Sequence, residues 1–176
     1  MIFTETALKG AFIIDIEKRE DNRGFFARGF CAEELDKQGL IFSFVQCNIS
    51  SSDKKHTLRG MHYQINGAEE VKIVRCTKGS LLDVIIDVRE DSPTYCQHIK
   101  VELSETNHRM LYIPKGFAHG FITLEYNIEL FYMVSEPYAP GKEAAIRWDD
   151  PTFDIQWPTD KPILSEKDAN CPDFEL

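Results

Sequence analysis

The chain has 176 residues, a length that suits a single domain over 1–176, and 43% of them are hydrophobic against 28% charged, which suits a globular fold with a substantial core. A net charge of −9 argues against a general nucleic-acid binder, which needs a basic footprint, although a local group of Arg and Lys can still hold an anionic small molecule. No apolar run approaches the roughly 20 residues that span a bilayer, the N-terminus has neither the basic segment nor the cleavage site of a signal peptide, and five widely spaced cysteines without a CxxC suit free thiols in a reducing, cytoplasmic compartment.

In chain order, apolar residues alternate or run briefly over 11–16, 41–47, 72–76, 80–88, 98–103, 109–113, 119–124 and 128–134, and each segment predicts a strand rich in Val, Ile, Phe or Tyr. A further strand is expected through Leu58 to Gln64. The one clear helix covers 32–38, stopped at Gly39. Thr77-Lys78-Gly79 supplies a hairpin turn, and Pro114-Lys115-Gly116 and Pro140-Gly141 mark other turns. Beyond Asp150 four prolines predict irregular chain, except for one helical turn capped by Ser165. Many short strands in one domain predict an all-β sandwich or barrel, here a cupin-type jelly roll with short peripheral helices. Such barrels often hold a small ligand in the mouth or lumen.

The densest polar segment is Leu58-Arg59-Gly60-Met61-His62-Tyr63-Gln64. Alternation puts His62 and Gln64 on one face and Arg59 on the other, so Arg59 and His62 can act together only if the chain bends near Gly60. A solvated surface histidine is the plain alternative. Lys72 and Arg75 fall on opposite faces of their strand, so one cation points toward apolar surroundings; Lys72 is either functional or snorkels to water from the strand start. His119, between Gly116 and Gly120 at the start of a strand, sits at a barrel rim as a catalytic or phosphate-binding group or merely a turn residue. Tyr132 is mid-strand and Tyr138 precedes a Pro-rich turn; packing alone accounts for both. One His stands where a metal-binding cupin would show a His-x-His pair. That leaves only His62 with His119 as conceivable ligands, and no metal is expected. Walker A, GxGxxG and GxSxG sequences do not occur.

Five segments in order, Asp21-Asn22-Arg23-Gly24-Phe25-Phe26, Leu58 to Gln64, Lys72 to Cys76, Ile113 to Phe121, and Ser165-Glu166-Lys167-Asp168, resemble those of the dTDP-4-dehydrorhamnose 3,5-epimerase family. The resemblance extends from about Lys9 to Pro172. It implies a homodimeric cupin jelly roll that uses no cofactor and inverts C3 and C5 of a 4-keto-6-deoxy sugar carried on a nucleoside diphosphate. It implies that His62 is the general base, that Asp168 pairs with it, that Lys72 lies near the C4 oxygen, and that Tyr132 is the acid on the opposite sugar face. Asp83 and Asp87 are alternative partners for His62. Arg23, Arg59 and His119 match groups that contact the substrate or its diphosphate. Gln46 through Asn48, Glu143 and Lys167 fall at binding positions, and Tyr138 matches an aromatic that stacks on the base. Arg28 stands where the family commonly has Glu, which reverses charge at the nucleotide end and leaves the base open. A single-carbon epimerase or ketoisomerase, and a non-catalytic cupin binding a sugar nucleotide or metal, are the competing readings.

Overall fold

The computed structural model describes residues 1–175. Two antiparallel sheets face each other. The first has six strands: β1 (Ile2–Glu5), β2 (Phe12–Asp15), β10 (Met110–Ile113), β7 (Lys72–Lys78), β12 (Ile128–Val134) and β5 (Gln46–Ser52), in that spatial order. The second has five: β13 (Glu143–Ala145), β6 (Leu58–Gln64), β11 (Phe117–Thr123), β8 (Ser80–Asp87) and β9 (His98–Ser104). A separate ribbon joins β3 (Arg19–Asp21) to β4 (Gly24–Phe26), and two short helices, α1 (Ala32–Lys37) and α2 (Glu166–Ala169), lie outside the sheets.

Side-chain alternation makes three apolar layers. Val74, Leu81, Ile85, Leu103, Leu111, Phe121 and Leu130 fill the space between the sheets. Leu35 of α1 packs with Ile14, Ile73, Met110 and Tyr112 on the outer face of the six-stranded sheet. Met61, Val84, Ile86 and Ala118 on the outer face of the five-stranded sheet pack with Ile146 and Phe153 of the C-terminal segment. Each fully buried Leu or Ile contributes on the order of 1.5–3 kcal/mol of transfer free energy. Both sheets are therefore covered outside, and the polar residues that interrupt the inner layer stand out.

Most expected strands match within a residue or two. Segment 41–47 does not: pairing begins only at Gln46. Before that the chain is held by Phe44 packing outside the first sheet and by the Ile41 N–H donating to the Tyr112 hydroxyl at 3.0 Å. Strands β1, β3, β4 and β13 are only three or four residues long and none of their residues is buried, so they carry no alternation that sequence reasoning could have used.

The bend expected near Gly60 is present. His119 lies opposite His62, but Phe121 lies opposite Arg59, so β6 carries an extra residue in a bulge. Gly60 adopts φ 137°, in the region that favours glycine. Gly120 faces it so closely that a Cβ there would lie 2.8 Å from the Arg59 carbonyl oxygen and 2.6 Å from Met61 Sδ. Gly120→Ala is therefore expected to cost about 1–3 kcal/mol by overpacking. The test is urea unfolding: the midpoint should fall with an unchanged slope, and an unchanged midpoint would show that the backbones can part freely.

Candidate active site

Two adjoining clefts share His62, Lys72 and Tyr132. One of about 320 Å³ also has Arg59, His119, Ser165, Lys167 and Asp168 in its wall. The other, of about 460 Å³, adds Gln46, Asn48, Glu70, Tyr138 and Glu143. His62 comes from β6 of one sheet and Tyr132 from β12 of the other, so base and phenol project into the same space from opposite walls.

The His62–Asp168 contact joins the barrel to the C-terminal segment. His62 Nε2 lies 2.6 Å from Asp168 Oδ1. The Ser165 hydroxyl accepts the Asp168 N–H at 3.1 Å, so the helix cap fixes the carboxylate's backbone. Asp168 is 5% exposed and His62 40%, so the carboxylate faces inward and the ring edge remains open to the cleft. With the carboxylate on Nε2, the hydrogen belongs there and Nδ1 is left to accept a proton. Burial holds the imidazole below its usual pKa; Asp168 opposes this, and the charges of Lys167 and Lys72 add to it. The ring is thus neutral near pH 7 and competent as a base.

Lys72 points inward beside Val74 and Cys76, the face left open by the sequence. Its Nζ pairs with Glu70 Oε1 at 2.9 Å, with the two side chains 13% and 8% exposed. Gln64 donates to the other Glu70 oxygen at 2.6 Å and accepts the Ala139 N–H at 2.7 Å, tying the carboxylate to the loop that carries Tyr138. The ammonium is therefore fixed in a desolvated place, where its charge acts more strongly than in water. Burial, then the Glu70 charge, raises the Tyr132 pKa against Arg59, so the phenol keeps its proton at neutral pH.

His119 does not share the Asp168 carboxylate. Its Nε2 lies 3.0 Å from each oxygen of fully buried Asp83, giving a second imidazole–carboxylate pair beside the first. Asp87, the other candidate partner for His62, is instead bound by Arg89, Ser92 and Thr94. Arg59 reaches the cleft past the bulge, held by Ser52 Oγ and the Ser51 carbonyl at 3.2 and 3.1 Å. Gln46 donates to Asn48 at 2.8 Å along β5. Tyr138, Glu143 and Lys167 form a hydrogen-bonded chain at the outer rim.

Two expected binding residues are not brought into either cleft. Arg23 is 84% exposed on the β3–β4 ribbon and paired with Asp21, and Arg28 pairs with Glu34 of α1 beside a small separate hollow. Within one chain, local carboxylates and the separate ribbon hold both away from His62. Sequence reasoning missed Glu70, whose signal was its place two residues before a strand lysine, and the pairing of Asp83 with His119, which only the register of β8 against β11 reveals.

The family model described as dTDP-4-dehydrorhamnose 3,5-epimerase matches residues 5–175. The protein of that name from Salmonella typhimurium is 41% identical over 174 residues, covering 98% of this chain and 94% of its own length. A Bacillus anthracis structure of the same name, with TDP and PPi bound, has a TM-score of 0.95 at 39% identity and covers 98% of this chain and 99% of its own. A Legionella pneumophila dTDP-6-deoxy-D-glucose-3,5-epimerase, in complex with dTDP-4-keto-L-rhamnose, has a TM-score of 0.90 at 35% identity, with 99% of both chains covered.

Because burial lowers the His62 pKa and Asp168 raises it, Asp168→Asn should move the ring's titration to still lower pH. Nitrogen-resolved NMR of the His62 ring measures this directly. A midpoint above the ordinary histidine value of about 6.5 in the wild type, or an upward shift in the variant, would contradict the assigned balance.

Proposed function

The chain belongs to the dTDP-4-dehydrorhamnose 3,5-epimerase family, and we propose here how its clefts carry out that chemistry. It is an isomerase that inverts C3 and C5 of a dTDP-linked 4-keto-6-deoxy sugar. The observation that carries the residue assignment is the placement of His62 and Tyr132 on facing sheets around one cavity.

A hydrogen beside a ketone can be lost because the developing charge moves onto the carbonyl oxygen. His62 Nδ1 takes that proton, and Asp168 stabilises the imidazolium that results. The Lys72 ammonium, held by Glu70, stabilises the enolate at O4. Tyr132 then delivers a proton to the opposite face. Inversion needs this two-sided arrangement, since a single group would return the proton where it was taken. Turning the sugar within the cleft brings the second carbon to the same pair. Base, acid and cation complete this chemistry with the chain's own side chains.

Arg59 and His119, the latter oriented by Asp83, face the diphosphate. Gln46, Asn48, Tyr138, Glu143 and Lys167 form the nucleotide end, with Tyr138 as the stacking surface. Arg23 and Arg28 enter only in a homodimer: the ribbon that carries Arg23 also exposes Phe25 and Phe26, and a second copy would present it to the open side of the cleft. The whole chain acts as one catalytic domain in the cytoplasm, a compartment that suits its five free cysteines.

Incubation with dTDP-4-keto-6-deoxyglucose in deuterated water should place deuterium at both C3 and C5. Label at C3 alone would mark a single-carbon epimerase, and none at either carbon would reject the reaction. His62→Ala should lower exchange roughly 10²–10⁴-fold. Tyr132→Phe should harm inversion more than C3 exchange, and equal losses would remove the tyrosine as donor. Lys72→Ala should act mainly on kcat, because its charge is most useful in the transition state.

For the dimer, Arg23→Ala should raise KM with a smaller change in kcat, and sedimentation of the wild type should give a dimer. A monomer with full activity, or unaltered kinetics in the variant, would remove the ribbon from the site.

A further inference from the structure

Cys171 lies beside the catalytic pair and takes no part in the epimerisation. It follows α2 by two residues, and one donor atom each from His62, Asp168 and Cys171 fall within 4.8 Å of one another. The thiol's hydrogen bond is long, 3.5 Å to the Lys167 carbonyl oxygen, so little is lost when it turns. The sequence offered His62 with His119 as the only conceivable metal pair. The fold commits those two histidines to different carboxylates and supplies a sulfur to the first instead.

We propose that His62, Asp168 and Cys171 form an inhibitory site for a zinc-class divalent cation. The donor set decides the class. Thiolate, imidazole and carboxylate together suit Zn²⁺ or Cd²⁺, whereas Mg²⁺ and Ca²⁺ take oxygen ligands. Zinc bonds of about 2.3 Å to sulfur and about 2.0–2.2 Å to nitrogen and oxygen place tetrahedral ligand atoms about 3.5 Å apart, and a site with three protein ligands keeps its fourth position for water. The three donor atoms, now within 4.8 Å of one another, must close to that spacing when a metal binds. The 2.6 Å contact between His62 and Asp168 must open as the metal replaces the hydrogen between them.

The proton balance is simple. The Cys171 S–H bond breaks and its proton goes to solvent. The hydrogen on the His62 nitrogen facing Asp168 moves through solvent to the other ring nitrogen, so one proton is released per metal bound. The lone pair that would have taken the substrate proton is then occupied or blocked. Two cations flank the trio, Lys72 and Lys167, but each is paired with a glutamate, Glu70 and Glu143, which limits their repulsion of the incoming ion.

That the site is inhibitory rests on the epimerase reading; that it binds metal does not. The test therefore has two arms on the full-length, chelator-treated protein. In the first, Cd²⁺ is titrated and its thiolate charge-transfer absorbance is read. The wild type should show one equivalent of signal that Cys171→Ala lacks, the other cysteines being common to both. In the second, Zn²⁺ should stop deuterium exchange in the wild type, and a chelator should restore it. Cys171→Ala should exchange normally without metal and need at least roughly tenfold more Zn²⁺ for half-inhibition, as loss of a ligand implies. Identical Cd²⁺ titrations would overturn the site. A Cd²⁺ signal with equal Zn²⁺ sensitivity in both proteins would overturn its inhibitory role. Absence of exchange in metal-free wild type would strike the epimerase reading instead, with the cadmium arm still deciding the site.

Discussion

The arrangement depends on the bond between His62 and Asp168. It joins a barrel strand to a helical turn more than a hundred residues later in the chain. Without it the histidine would be a half-exposed side chain of undetermined tautomer. With it one nitrogen carries the hydrogen and the other is free to act. The Ser165 cap, the short helix it starts, and the C-terminal segment packed on the outer face of the five-stranded sheet all keep that carboxylate in place. A chain end that looks like irregular covering is thus part of the proposed chemistry.

A second constraint comes from the inner layer. A jelly roll fills the space between its sheets with apolar side chains, and here that filling stops where His62, Lys72, His119 and Tyr132 point inward. Each inward basic side chain has a fixed carboxylate partner: Asp168 for His62, Glu70 for Lys72, Asp83 for His119. Pairing makes the desolvation of these groups tolerable. It also preorganises them, so that little rearrangement is needed when charge develops on a substrate.

Much of this was legible in the sequence, for identifiable reasons. Strands with strong alternation, such as Ile128–Val134, declare themselves, and the bend at Gly60 followed from needing Arg59 and His62 in one place. The Ser165 cap was readable from its residue type. Short exposed strands were not, because three or four residues cannot establish a period. Carboxylate partners were hard for a different reason. Asp83, Asp87 and Asp168 are equivalent as letters, and only sheet register assigns Asp83 to His119 and leaves Asp168 for His62. The positions of Arg23 and Arg28 were hidden for a third reason, since a ribbon that pairs only with itself, and the irregular stretch that follows it, give no sequence cue to where they point.

The central claim is that a sugar ring lies between an imidazole on one sheet and a phenol on the other. A crystal structure of the chain with a dTDP-linked 6-deoxyhexose tests it most directly. The account predicts the pyranose between the two side chains, one face toward His62 Nδ1, the other toward the Tyr132 hydroxyl, and its C4 oxygen near Lys72 Nζ. A ring bound outside this space, or with both side chains on the same face, would contradict it.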